Sequence, residues 1–101
     1  MTELFGAFFT AALLFNAIPH LVQGICGKKH MSPFSAESSA VTNVLWGWGN
    51  LVVGGLIGRA SQWEAWTTSS WIAFGAGGLS VSLYLALFWS NPNARLPWHK
   101  D

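Results

Sequence analysis

The sequence predicts an all-α membrane protein, three transmembrane helices in a small bundle with short loops. Two observations predict it. Of the 101 residues, 51% are hydrophobic and only 9% are charged, against about 25% charged in a typical soluble domain. Three long stretches, Leu4–Ile25, Ala40–Gly58 and Trp71–Trp89, contain no Lys, Arg, Asp or Glu, and about 20 largely apolar residues cross a bilayer as a helix. The chain reads as a single integral membrane domain over residues 1–101, with spans of about 4–25, 40–58 and 71–89. A soluble chain this small leaves roughly 35–40% of its surface facing water, and here the polar residues are too few to cover it. A net charge of +1 makes no basic patch, which excludes a nucleic-acid partner.

The first span reads as a permanent helix rather than a cleaved signal. A signal peptide opens on basic residues and has an apolar core of about 7–15 residues, whereas this chain opens with Glu3 and a longer apolar run. Ile25 before Cys26 also fits a lipoprotein site poorly. Gly24 and Gly27 stand where the first helix should end. Ser32-Pro33 reads as a short turn or helix start before the second span, with Ser as cap and Pro at the first position. In the second loop Ser61 and Glu64 have capping-box spacing, so Gln62–Trp66 reads as one short interfacial turn. Pro92 and Pro97 end the third helix and extend the tail.

Orientation follows from the basic residues, which concentrate on the cytoplasmic side. Three spans put the first loop and the C-terminus on one side with Lys28, Lys29, Arg95 and Lys100. Only Arg59 is left for the other side. The expected arrangement is N-terminus outside and C-terminus cytoplasmic. Trp63, Trp66 and Trp71 at the outer end, with Trp89 and Trp98 at the inner end, match the headgroup preference of amphipathic rings. Lys28 and Lys29 join them as interfacial residues. Trp46 and Trp48 fall inside the second span and are expected to pack on a neighbour or face lipid.

Polar and small residues recur at helical spacing. Asn43, Gly47, Asn50, Gly54 and Gly58 share a face of the second span, and Gly54-x-x-x-Gly58 is a close-approach pattern of membrane helices. Gly75, Gly78, Ser82 and Ala86 form a similar stripe in the third. Asn16, His20, Gln23 and Gly27 share a face of the first, with Pro19 inside it. Antiparallel pairing brings Asn16, His20, Asn43 and Asn50 to one depth, with Tyr84 at a comparable level. One polar intramembrane cluster is expected there. Unpaired polar groups in hydrocarbon cost several kcal/mol, so mutual hydrogen bonding is needed whether or not the cluster also serves a solute. His20 is its ionisable member. The glycine stripes serve helix packing, either within one chain or between chains.

No cofactor is expected. Haem in a bundle commonly needs His ligands on facing helices, and only His20 lies in a span; His30 and His99 lie in the first loop and the tail. Cys26 alone builds neither a disulfide framework nor a Cys-based zinc site. The acids Glu3, Glu37, Glu64 and Asp101 all lie outside the spans, so no Ser–His–carboxylate set forms at membrane depth and no enzyme is expected.

Two segments carry a resemblance: Asn16-Ala-Ile-Pro-His-Leu-Val-Gln-Gly-Ile-Cys-Gly27 followed by Ser32-Pro-Phe34, and Asn43-Val-Leu-Trp-Gly-Trp-Gly-Asn50 with Gly54. They resemble a recurrent pattern in small, uncharacterised bacterial inner-membrane proteins. The resemblance implies a bacterial plasma membrane and carries no activity. Small multidrug transporters are similar in size but have four spans and a carboxylate within the first, both absent here. The expected function is a non-enzymatic accessory or stabilising subunit of a membrane assembly, its partners the bilayer and other membrane chains or itself. The competing expectation is a homo-oligomeric transporter or channel whose polar cluster lines a path for a small solute or ion.

Overall fold

A computed structural model describes residues 2–99. Lys100, counted above among the basic residues, and Asp101 lie outside the described residues. Three helices dominate: α1 (Thr2–Ile25), α2 (Ala40–Ala60) and α3 (Thr68–Ser90). All three are long and apolar enough to cross a membrane. Each overruns the charge-free stretch that predicts it by up to three residues, because capping groups and not hydropathy decide where a helix stops.

The ends show this residue by residue. At the end of α1, Gly27 adopts φ +75°, Lys28 N–H donates to Gln23 C=O at 2.9 Å and Gly27 N–H donates to Gly24 C=O at 3.0 Å. This pair of bonds is a Schellman closure, which needs the left-handed conformation that glycine adopts without penalty. At the start of α2, the Ser39 side chain accepts from Thr42 N–H at 3.1 Å, the bond expected of a serine N-cap. Pro19 sits inside α1.

The loops settle two readings. Ser32-Pro33 opens a short turn and not a helix. It closes a two-stranded antiparallel hairpin, β1 (His30–Ser32) and β2 (Ser35–Ser38), with His30 opposite Ser38 and Ser32 opposite Ser35. The Ser32 hydroxyl accepts from Phe34 N–H and shares a hydrogen bond with the Ser38 hydroxyl. Those side-chain bonds hold the turn that a helix start would have opened. Ser61 is likewise the C-cap of α2 rather than the first residue of a capping box. Its hydroxyl donates backwards to Ile57 C=O and Gly58 C=O, which holds the side chain on the turn behind it. A left-handed Gln62 (φ 58°) then reverses the chain into a single 3-10 turn, Trp63–Ala65.

α1 is the central helix. α2 packs on one side and α3 on another, while α2 and α3 hardly meet. α1 suits this position because its contact residues are small: Ala7, Ala11 and Ala17 are fully buried. Its neighbours answer with glycines. A Cβ on Gly47 would meet Leu21, one on Gly54 would meet Leu13 and Leu14, and one on Gly78 would meet the Phe15 ring. Gly77, one residue off the predicted stripe, makes the tightest approach, seating α3 on the Phe8 carbonyl. Gly75, by contrast, faces open space.

Replacing Gly77 with Ala should therefore force α3 off α1 and cost about 1–3 kcal/mol of stability, read as a lower unfolding midpoint. Gly75→Ala should leave the midpoint within about 0.5 kcal/mol of the parent.

Candidate functional site

The polar residues of α1 and α2 meet at the end of the bundle that carries the hairpin. Antiparallel packing sets them in two layers. In one, Asn16 Nδ2 donates to Asn50 Oδ1 at 3.1 Å, and Asn50 Nδ2 donates to Trp46 C=O at 2.9 Å. In the other, His20 Nδ1 and Asn43 Oδ1 are 2.7 Å apart. Asn43 is completely buried. Its Nδ2 serves three carbonyls, His30 at 2.9 Å, Ser39 at 3.0 Å and Ser38 at 3.2 Å.

Those three acceptors decide the chemistry of His20. They require the NH2 group of Asn43 on the hairpin side, so its carbonyl oxygen must face His20. An oxygen only accepts, so His20 Nδ1 carries the proton and donates. In the neutral ring Nε2 is then a free lone pair, and it has no partner among the described residues. Asn16 gives one amide hydrogen to Asn50 and keeps its second N–H and its Oδ1 without a partner among the described residues.

Tyr84 is brought near the cluster but not into it. Its side chain is 61% exposed and stacks on Phe88 with ring centroids 6.0 Å apart. It makes no hydrogen bond to the four other polar residues. It lines the same cavity as Asn16 and His20 without bonding to either.

The hairpin adds residues that spacing arguments missed. His30 sits with its ring centroid 5.3 Å from that of His20 and 4.2 Å from that of Trp89. Burial, and secondarily the charge of His20, pushes the His30 imidazole below its ordinary 6.5. Trp98 Nε1 donates to Pro33 C=O at 2.7 Å, which ties the C-terminal tail to the hairpin turn. Nothing local in the sequence marks either contact, because both exist only once Asn43 has fixed the hairpin. Between these parts lies a cavity of about 240 Å³, with Asn16 and His20 on α1, Trp46 on α2 and Phe88 and Trp89 on α3 among its walls.

The remaining predicted residues divide by position. Lys28 and Lys29 are exposed beside the hairpin, and Trp71 is exposed at the opposite end. Trp63 lies over Gly58, whose missing side chain makes room for the indole. Trp66 is only 9% exposed and donates from Nε1 to Ser61 C=O at 3.0 Å, so it is a core residue of that end rather than a surface anchor. Trp89 is half-buried against His30. Ser82 is half-buried beside Phe15 and Pro19 of α1. Cys26 is exposed. Among the described residues no group of three His, Cys, Asp or Glu side chains gathers as metal ligands. No family model, curated protein or solved structure matches this chain.

Asn43→Leu should be far more damaging than Asn50→Leu. The first strips four partners at once, among them the His30 and Ser38 carbonyls, and should cost on the order of 3 kcal/mol or more. The second removes one interhelical bond, worth about 0.6 kcal/mol in membrane bundles. Unfolding midpoints of the two variants in the same detergent check the order.

His30 supplies a pH dependence. Its folded pKa lies below the ordinary value, so the fold holds the neutral ring. That stability is complete above pH 6.5 and is lost as the pH falls through the lowered folded value. Midpoints measured from pH 7.5 down to 5 should fall, and His30→Phe should flatten the part of the slope that His30 contributes.

Proposed function

We propose that the chain is a non-enzymatic accessory subunit of a membrane assembly, docking to another chain through the outward face of α3. The observation that carries this reading is the state of that face. Gly75 meets nothing, and Ala76, Leu79 and Ser80 beside it are exposed. Ala76 and Ser80 are four residues apart, the spacing at which small side chains let membrane helices approach closely. An outward Ser80 hydroxyl in a hydrocarbon setting gains from a partner helix more than from lipid. Gly47, Gly54 and Gly78 are occupied within the chain, so they leave Gly75 as the free close-approach position of the predicted stripes.

The competing reading, a homo-oligomeric transporter or channel, needs polar atoms along a path. Asn16, His20, Asn43 and Asn50 instead bond one another and the hairpin, which favours a structural use. We place the protein in a bacterial plasma membrane with the hairpin and C-terminus on the cytoplasmic side. Lys28, Lys29 and Arg95 stand at that end against Arg59 at the other, in keeping with the positive-inside bias.

Native mass spectrometry of the protein, extracted gently from its own membrane, tests the proposal. The expected species carries additional, different chains, and Ala76→Leu combined with Ser80→Leu should strip them while the unfolding midpoint is kept. A bare monomer would sink the subunit reading. A homo-oligomer without other chains would turn the weight to the transporter.

A further inference from the structure

A second pocket lies where the hairpin meets the chain that follows α3. Its volume is about 310 Å³, and Glu37 of β2 lines it together with Trp89, Asn91 and Arg95. It holds charges of both signs. Arg95 offers five N–H donors in a planar fork, more than one partner uses and a good match to phosphate oxygens. The Glu37 carboxylate accepts from an ammonium. A purely anionic ligand would set its charge against Glu37, and a purely cationic one against Arg95. A ligand that carries an ammonium and a phosphate together meets both.

The position of the pocket narrows the choice further. It sits at the end of α3, with Trp89 in the last turn before Ser90, and indole rings favour the headgroup level. Trp89 also lines an apolar groove of about 280 Å³ between α1 and α3, walled by Phe15, Ile18, Pro19, Leu85 and Ala86. Its buried Nε1–H has no partner among the described residues. An acceptor oxygen seated at the junction of pocket and groove would answer it. Carboxylate, guanidinium, indole N–H and apolar groove thus match, one for one, the ammonium, phosphate, ester oxygens and acyl chain of an aminophospholipid.

We infer that this pocket holds the headgroup of a phospholipid bearing a primary amine, its ammonium on Glu37 and its phosphate on Arg95, with an acyl chain in the groove beside Trp89. The site requires the hairpin end to lie among the headgroups and is independent of the docking face of α3.

The test uses native mass spectrometry of the full chain in detergent micelles, titrated with dioleoyl phosphatidylethanolamine and separately with dioleoyl phosphatidylglycerol. The readout is the ratio of the two affinities, because Lys28 and Lys29 attract anionic lipid to this end whatever the pocket does. Glu37→Gln should lower the ratio about fivefold in the direction of phosphatidylglycerol, the effect of one exposed ion pair, and Glu37→Lys should lower it further. Both should keep the unfolding midpoint, since the hairpin bond of Glu37 runs from its backbone N–H to Ser35 Oγ. Ala86→Trp, which fills the groove, should weaken both lipids and leave the ratio as it was. Glycerophosphoethanolamine, the headgroup without chains, should not displace the lipid at equal concentration. An unchanged ratio in the folded Glu37 variants, undiminished binding in a folded Ala86→Trp protein, or displacement by the chain-free headgroup would each overturn the assignment.

Discussion

The hairpin end of the molecule depends on one amide. Asn43 sits in the first turn of α2, fully buried, where backbone carbonyls of the hairpin and of the helix start converge. Carbonyls left without donors in such a place cost more than an ordinary hydrogen bond returns. One NH2 group answers three of them, and the oxygen on the same carbon holds α1 through His20. Loop, first helix and second helix are thereby fixed by a single planar group. The consequences reach further than its contacts. The hairpin, once placed, sets His30 on Trp89 and offers Pro33 C=O to Trp98, and those contacts close the cavity.

A second constraint is the asymmetry of the bundle. α1 has small residues where both neighbours approach it, and the neighbours carry glycine where it approaches them. Close backbone approach gains dispersion and needs little side-chain ordering, which is how helices associate where water offers no hydrophobic drive. A helix that packs on two sides leaves its neighbours apart from each other. The space between α2 and α3 is thus the geometric result of a central α1. At the opposite end Trp66, Trp71 and Phe74 fill their part of the bundle with edge-to-face and tilted rings. At the hairpin end the aromatic rings line the gap instead.

The helices were legible in the sequence because long charge-free runs have few other uses in so short a chain. That Asn16, His20, Asn43 and Asn50 meet was legible from antiparallel depth; which of them pairs with which was not. The hairpin was not. Its strands are three and four residues long and polar, with no alternation to read, and their hold comes from Asn43 rather than from strand propensity. Ser61 misled for a related reason: a serine three residues before a glutamate fits a cap, but the same hydroxyl bonds equally well to the turn behind it. Gly77 escaped because it stands one residue off the stripe that Gly75 and Gly78 define, and only the Phe8 carbonyl shows which glycine is pressed. Tyr84 shares a cavity with Asn16 and His20, but depth could not show that it makes no hydrogen bond to them.

The two proposed roles use different parts of α3 and do not compete. The docking face lies around Gly75–Ser80, in the first half of the helix, while the lipid pocket and its groove take Ser82–Trp89 from the second half. A partner on the first half leaves the headgroup pocket open. The polar network gives the neighbouring cavity its polar wall. Had Asn16 and His20 spent all their polar atoms on α2, the space beside them would be a plain apolar void of the kind that costs stability. Because Asn43 turns its oxygen toward His20, the His20 ring donates from Nδ1 and keeps Nε2 as an acceptor. The amide that assembles the hairpin end thus also sets the tautomer of the His20 ring beside the cavity.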